Sequence, residues 1–348
     1  MKIGSISTSA VSDAARLSLM KLQAQLVDAQ KEVSTGRHVD VGLSLGDKTG
    51  QVVSLRQQHM RLEAIIESNS SVATRLDATQ QALETIAKGA EAFSNQLVAG
   101  RNILVQQSLQ GEGKAGLASL IGMLNMQVGG AFLFAGINAD VKPVADYNEL
   151  PPPASKQAVD AAFLARFGFS QSDPAVANIS AVDMQDFLDN EFAALFDDAA
   201  WKADWSQASD QNVRSRVSSS ELLETSTNAN EPAMRKLAAA YTMVGELGTA
   251  NLSQAAYDKL IERATQLVMD ASQDLTALRT DLGAVQQRVS DANDRMAIQR
   301  DVLSNHIGVL EGVDPYEASS RLSQLMTQVE ASYAMTARIS KLTILNYL

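Results

Sequence analysis

Seven prolines punctuate this chain, and their placement leaves two long stretches without any. Pro143, Pro151, Pro152, Pro153, Pro174, Pro232 and Pro315 are the full set, so residues 1–142 and 233–314 hold none. A proline inside a helix removes a backbone donor and clashes with the preceding turn, at a cost of about 3 kcal/mol or more. Two arms that avoid it are free to run as long helices. The cluster Pro151-Pro152-Pro153 marks a turn or linker where a different kind of region starts.

Apolar spacing says where the helices lie. Ala15, Leu19, Leu22, Leu26, Ala29 and Val33 alternate steps of four and three, an a/d stripe on a helix over 8–34. Gly36 is its candidate C′ residue, and the glycines at 36, 42, 46 and 50 predict a loop. Leu55, Leu62, Leu76, Leu83, Leu97 and Leu104 share one heptad position, with Asn69 and Ala90 in the gaps. They predict a helix over 52–106, roughly 80 Å long at about 1.5 Å per residue. A shorter helix is expected over 112–128. Val268, Ala271, Leu275, Leu278, Leu282, Val285, Val289, Ala292 and Met296 repeat the same step, continuing less regularly through Gln299, Leu303, His306 and Leu310.

The helix expected over 255–312 nearly equals that over 52–106, so the two are expected to pair antiparallel within one subunit. After Pro315 a last helix carries Leu322, Leu325, Val329 and Tyr333 on one face, then Ile339, Leu342 and Leu345 on a wider apolar arc. Together with 8–34 it is expected to form the seam between subunits. Asn69 and His306, polar groups at stripe positions, read as devices that set register.

The middle differs in kind. Nine of the 17 aromatic residues lie between Tyr147 and Trp205, among acidic residues and turn signals. The organisation predicted is mainly α. Terminal arms over 1–140 and 226–348 form a long antiparallel helical bundle or coiled coil, with a small inserted α or α+β domain over 141–225. Segments 184–197 and 232–246 are expected to be helical.

Charge narrows the possible partners. The net charge is −11, and residues 141–250 carry 8 basic and 16 acidic residues, so most of the excess sits in the middle. No basic run exists to neutralise phosphates or to hold an anionic membrane surface, which argues against nucleic-acid and membrane binding. The nearly neutral ends suit close association. The absence of cysteine removes disulfides and thiolate metal ligands. Residues 1–9 lack the apolar stretch of a Sec signal peptide, so export, if it occurs, is expected by another route.

Candidate chemistry is sparse. Gly42-Leu43-Ser44-Leu45-Gly46 matches the nucleophile-elbow string, yet no hydrophobic strand precedes it. Gly111-Glu112-Gly113-Lys114 lacks the phosphate-loop spacing and reads as a helix break. His38, His59 and His306 lack metal-ligand spacing. Asp183, Asp186, Asp189 and Glu191 could line one helix face and hold a cation, or form a solvated acidic face. No catalytic residue, metal site or cofactor is expected, and the chain reads as a structural protein.

Several segments resemble the flagellin superfamily. The N-terminal heptads followed by Val33-Ser34-Thr35-Gly36-Arg37 resemble its start, and Gly129 to Asn138 (GGAFLFAGIN) resembles the segment where hook-associated members leave the N-terminal arm. Asn228-Ala229-Asn230-Glu231-Pro232 with Ala238-Ala239-Ala240-Tyr241 resembles the re-entry into the C-terminal arm. Glu330-Ala331-Ser332-Tyr333 and the ending Leu345-Asn346-Tyr347-Leu348 resemble the close of hook-associated members. The loop after Arg37 departs from the family in lacking an Asp-Asp stretch.

The resemblance implies terminal helices packed as coiled coils in a helical tube, with the inserted domain pointing outward. It implies export through the flagellar type III apparatus and an extracellular place at the hook–filament junction. The partners it implies are a hook-side junction protein (FlgK), flagellin, an export chaperone (FlgN) and copies of the chain itself. A flagellin filament subunit is the alternative within the family; a cytosolic coiled-coil adaptor is the alternative outside it.

Overall fold

The computed structural model describes residues 8–100 and 106–341 of the chain. Ten α-helices among them, in order, are α1 (Thr8–Thr35), α2 (Val41–Leu45), α3 (Thr49–Ala99), α4 (Gln106–Leu124), α5 (Ala154–Phe167), α6 (Ala181–Phe187), α7 (Asp198–Ala200), α8 (Pro232–Glu246), α9 (Gln254–Glu311) and α10 (Pro315–Lys341). Two small antiparallel hairpins join them, β1 (Gln127–Val128) with β2 (Ala131–Phe132) and β3 (Arg214–Arg216) with β4 (Leu222–Glu224). The fold is mainly α, as the proline-free arms require. The chain divides into two compact units, Met1–Ala64 with Met296–Leu348, and Ile65–Arg295. The first combines the two ends of the sequence, and the second is one continuous stretch.

In the first unit α1 and α10 pack on each other. Their direction is antiparallel: the Gln23 amide donates to the Tyr333 hydroxyl at 2.6 Å, and Arg321 meets Glu32 at 3.3 Å. α1 ends where expected, at Gly36, whose φ of 68° is left-handed and whose N–H donates to the Glu32 carbonyl at 2.8 Å. Beyond it the expected loop over 36–50 contains structure. Asp40 caps α2 by accepting from the Leu43 N–H, and a 3₁₀ turn over Gly46–Lys48 leads into α3. The short polar cap outweighs the glycines there.

The second unit holds the larger core. α3 and α9 run antiparallel, since Asn69 meets Asn293, Gln286 meets Asp77, and the Gln80 amide donates to the Arg279 carbonyl. α8 is buried on nearly all sides, from Ala233 to Gly245, as its alanine-rich sequence allows. Pro232 opens it at the position where a missing N–H costs nothing.

α4 corrects the sequence reading: it runs unbroken through Gly111-Glu112-Gly113. Gly113 is there for packing, because a Cβ would stand 2.7 Å from the Gly245 nitrogen on α8. The described part of α3 ends at Ala99, short of the helix expected through 106, and Leu104 lies outside the described residues.

The middle segment is built around aromatic rings. Phe163 meets Phe167 and Phe187, Phe187 meets Phe192, and Phe196 joins Trp201 and Trp205, which stack at 5.2 Å. Helix over 184–197 is interrupted by a π-helical turn at Leu188–Phe192, and a second π turn spans Trp201–Trp205. Helix α5, with the turn residue Pro153 at its start, was not foreseen. Nor was the β1–β2 hairpin, where Gly129 and Gly130 (φ 61° and 83°) make the two-residue turn that needs positive φ twice.

Candidate assembly interface

Helix α1 and the first-unit part of α9 each carry an inward and an outward set of apolar residues. On α1 the inner stripe is Ala15, Leu19, Leu22, Leu26 and Ala29, all half-buried or buried, while Val33 at its end is exposed. On α10 Leu322 is half-buried, Leu325 and Val329 are buried, and Tyr333 is 52% exposed. These residues face a helix of the same chain. The Ile339 side chain, Leu342 and Leu345 lie outside the described residues.

The second stripes face solvent. Leu17, Met20 and Val27 on α1 are all more than half exposed, as are Ile298, Val302 and Val309 on the first-unit part of α9. Val53 and Met60 on α3, and Met335 on α10, add to them. A monomeric soluble protein seldom leaves so many large apolar side chains in water, and such faces mark interaction surfaces. The sequence reading missed them by following only the strongest heptad. Their signal was present, since positions 17, 20 and 27 and positions 298, 302 and 309 also recur at helical spacing.

Two elbows of the first unit are latched together. The His38 N–H donates to the Glu311 carbonyl at 3.0 Å, and the Val313 N–H to the Gly36 carbonyl at 3.0 Å. The Glu311 side chain is fully buried beside Arg56 at 2.7 Å and Arg37 at 3.6 Å. Glu32 takes both His38 and Arg321. The irregular end of the α9 stripe has a cause here: Ile307 and Glu311 turn inward, while Gln299 and His306 are exposed. His306 therefore sits in no packed seam.

In the second unit Leu76, Leu83 and Leu97 on α3 are buried, as are Val268, Leu275, Leu282 and Val289 on α9; Leu278 and Val285 are half-buried. In the first unit, Leu55 and Leu62 are half-buried and Met296 is buried. Asn69 is fully buried. Its amide nitrogen donates to Asn293 Oδ1 at 2.7 Å and to the Val217 carbonyl at 2.9 Å. The second bond ties α3 to the β3–β4 turn, and Glu221 of that turn reaches Arg288 on α9.

The chain's exit from and return to the long helices meet at one place. Ala135 and Asn228 form a β-bridge, and the Ala229 N–H donates to the Phe134 carbonyl at 2.8 Å. Asn230 donates to Asp210, which Lys202 also holds, first by hydrogen bonding; both bonds keep that carboxylate below its usual range. Burial pushes the neighbouring Glu231 carboxyl up. Gly136 must be glycine, with φ of 62° and a Cβ position blocked by the Ser209 and Gln211 carbonyls.

The acidic residues considered for cation binding are spent on arginines. Arg166 bonds Asp186 at 2.7 Å and Glu191 at 3.0 Å and nears Asp183, while Asp189 meets Arg263. Among the described residues no group of three or more acidic or histidine side chains is placed to hold a metal, and no helix is long and apolar enough to cross a membrane.

Comparison with known proteins agrees with this architecture. The bacterial flagellin N-terminal helical region matches residues 6–139, and the bacterial flagellin C-terminal helical region matches residues 265–348. No curated protein matches the sequence. Among solved structures, a provisionally assigned flagellar hook-associated protein from Vibrio parahaemolyticus is similar in fold, with a TM-score of 0.52 at 9% identity. The match covers 76% of this chain and 97% of that one.

Proposed function

Because the chain belongs to the flagellin superfamily, its two helical regions together spanning more than half its length, we propose that it joins the flagellar hook to the filament. A flagellar structural subunit works by being a shaped, rigid contact; no catalytic group is part of the proposal. The observation that carries the reading is the set of outward apolar stripes on the first unit, Leu17, Met20 and Val27 with Ile298, Val302 and Val309. Each helix already satisfies one face within the chain, so the second face is available to neighbours.

The junction position, of the FlgL type, is supported by the ending Leu345-Asn346-Tyr347-Leu348 and by Gly129–Asn138, both of which resemble hook-associated members. In this role the neighbours are a hook-side junction protein (FlgK) below, flagellin above and copies of the chain alongside. The export chaperone (FlgN) holds the C-terminal helix beforehand, and the chain leaves through the flagellar type III apparatus to an extracellular position.

A deletion strain should build hooks and shed flagellin monomers into the medium, and immunogold labelling of intact flagella should give one band at the hook–filament boundary. Labelling along the whole filament would favour a flagellin filament subunit instead. Normal filaments in the deletion strain would overturn the junction reading.

A further inference from the structure

Five methionines among the described residues are at least half exposed, and four of them belong to the first unit: Met20 on α1, Met60 on α3, and Met326 and Met335 on α10. Met20 falls three residues after Leu17 and seven before Val27, and Met60 falls seven after Val53. Each therefore shares a helix face with other outward apolar side chains. Met184, Met234, Met243 and Met296 are buried. The chain has no cysteine, so its only sulfur atoms are thioethers. The exposed ones meet an oxidant first.

We propose that Met20, Met60, Met326 and Met335 form a reversible oxidation site that governs assembly: their sulfoxides block the outward face of the first unit and leave the subunit folded. This rests on reading the outward apolar faces as contacts between subunits. The oxidant class is a peroxide. The thioether sulfur attacks one peroxide oxygen, and the O–O bond breaks as the S–O bond forms. The second oxygen leaves as hydroxide and takes the proton of the first, giving water and a neutral sulfoxide. Sulfur gives up two electrons, and the peroxide receives them. Methionine sulfoxide reductases reverse the step.

Position makes this a control on assembly and not a lesion in the fold. An exposed side chain has little packing to lose within the chain, so a polar sulfoxide there disturbs the subunit little. On faces otherwise made of Leu17, Val27 and Val53, the same oxygen must give up its water when a neighbour docks, which opposes docking. Met269 supplies an internal control. It is 51% exposed on the second-unit part of α9, where no other large apolar side chain is exposed among the described residues.

The test has two arms, both on the full-length chain. In the first, the purified chain is titrated with hydrogen peroxide, and sulfoxides are mapped by mass spectrometry alongside thermal unfolding. The four exposed methionines of the first unit should oxidise at least about tenfold faster than the four buried ones, with Tm held within about 2 °C. In the second, a deletion strain expresses variants, and sheared flagella are assayed for the chain. Met20→Gln, Met60→Gln, Met326→Gln and Met335→Gln together fix a polar group at each site and should lower incorporation at least about tenfold. Leu at the same four positions, and Met269→Gln alone, should leave it unchanged. Buried methionines oxidised as fast, unfolding at the same dose, or a Leu or Met269→Gln variant lost to the same degree would overturn the oxidation site. So would a Gln variant that incorporates normally while Leu17→Ser with Val27→Ser is lost, and the assembly reading would then stand. Normal incorporation of both would overturn both.

Discussion

Arg56 Nη2 stands 2.7 Å from Glu311 Oε2, a half-exposed guanidinium against a fully buried carboxylate. The pair joins the start of α3 to the end of α9, at the point where backbone bonds from His38 and Val313 already tie two elbows together. Removing one partner of a fully buried ion pair costs about 3–5 kcal/mol, because the other charge is stranded. Here Arg37 remains nearby at 3.6 Å and Arg56 is half in water, so the cost is smaller. Arg56→Ala should destabilise the latch by about 2 kcal/mol. Arg37→Ala should do so by less. Faster hydrogen exchange at the His38 and Val313 amides in Arg56→Ala, with little change in Arg37→Ala, is the expected pattern.

Asn69 should matter to a hairpin far from it in sequence. Asn69→Ala removes the donor to the Val217 carbonyl and to Asn293, leaving buried acceptors unpaired at about 1–3 kcal/mol. Beyond a lower urea midpoint, exchange protection should fall across residues 213–225. Unchanged protection there would show that Glu221 with Arg288 holds the hairpin alone.

Two glycines of α4 should respond in opposite directions to the same substitution. Gly113→Ala drives a methyl into the α8 backbone and should cost about 1–3 kcal/mol. A Cβ on Gly122 would meet nothing within 4 Å, so Gly122→Ala should stabilise by about 0.5–1 kcal/mol through helix propensity. Thermal unfolding of the two variants side by side reads the difference.

The outward stripes should be dispensable to the subunit and necessary to its assembly. Leu17→Ser with Val27→Ser changes exposed positions, so each should shift stability by no more than about 0.5 kcal/mol. Motility and incorporation into sheared flagella should nevertheless be lost. A fully motile double variant would remove the observation on which the function rests.

Burial pushes the Tyr241 phenol up to about 12, and it also raises Tyr257, whose hydroxyl donates to the Gly100 carbonyl, and Tyr147. A raised folded-state value means the neutral form is favoured by folding. The associated stability is therefore complete below about pH 10, the value in an unfolded chain, and is lost as pH rises through about 12 for Tyr241. Absorbance at 295 nm should show these phenols ionising later than those of the urea-unfolded chain, together with alkaline unfolding.

The long elements were legible because each repeats one simple pattern many times. Val268 to Met296 steps by three and four over some thirty residues, and the antiparallel course of α3 and α9 follows from their matched lengths. Single-residue effects were harder to read. Gly113 looked like a helix break because its reason, the close passage of Gly245, lies far along the chain. The β1–β2 turn rests on Gly129 and Gly130, two positive-φ positions that leave no mark in hydropathy spacing. Glu311 in the interior contradicts any hydropathy pattern, and only the arginines at 37 and 56 explain it. The outward stripes are masked in the sequence by the stronger inner heptads on the same helices.

The bridge between Ala135 and Asn228 has a practical consequence. Bridge partners have Cα atoms about 5 Å apart, so the chain leaves and returns through a single doorway. Any foreign module whose own termini nearly touch could be spliced there as a cassette, without lengthening either arm. The cassette would have to replace what the native segment gives back, including the Val217 carbonyl for Asn69, Glu221 for Arg288 and Asp189 for Arg263.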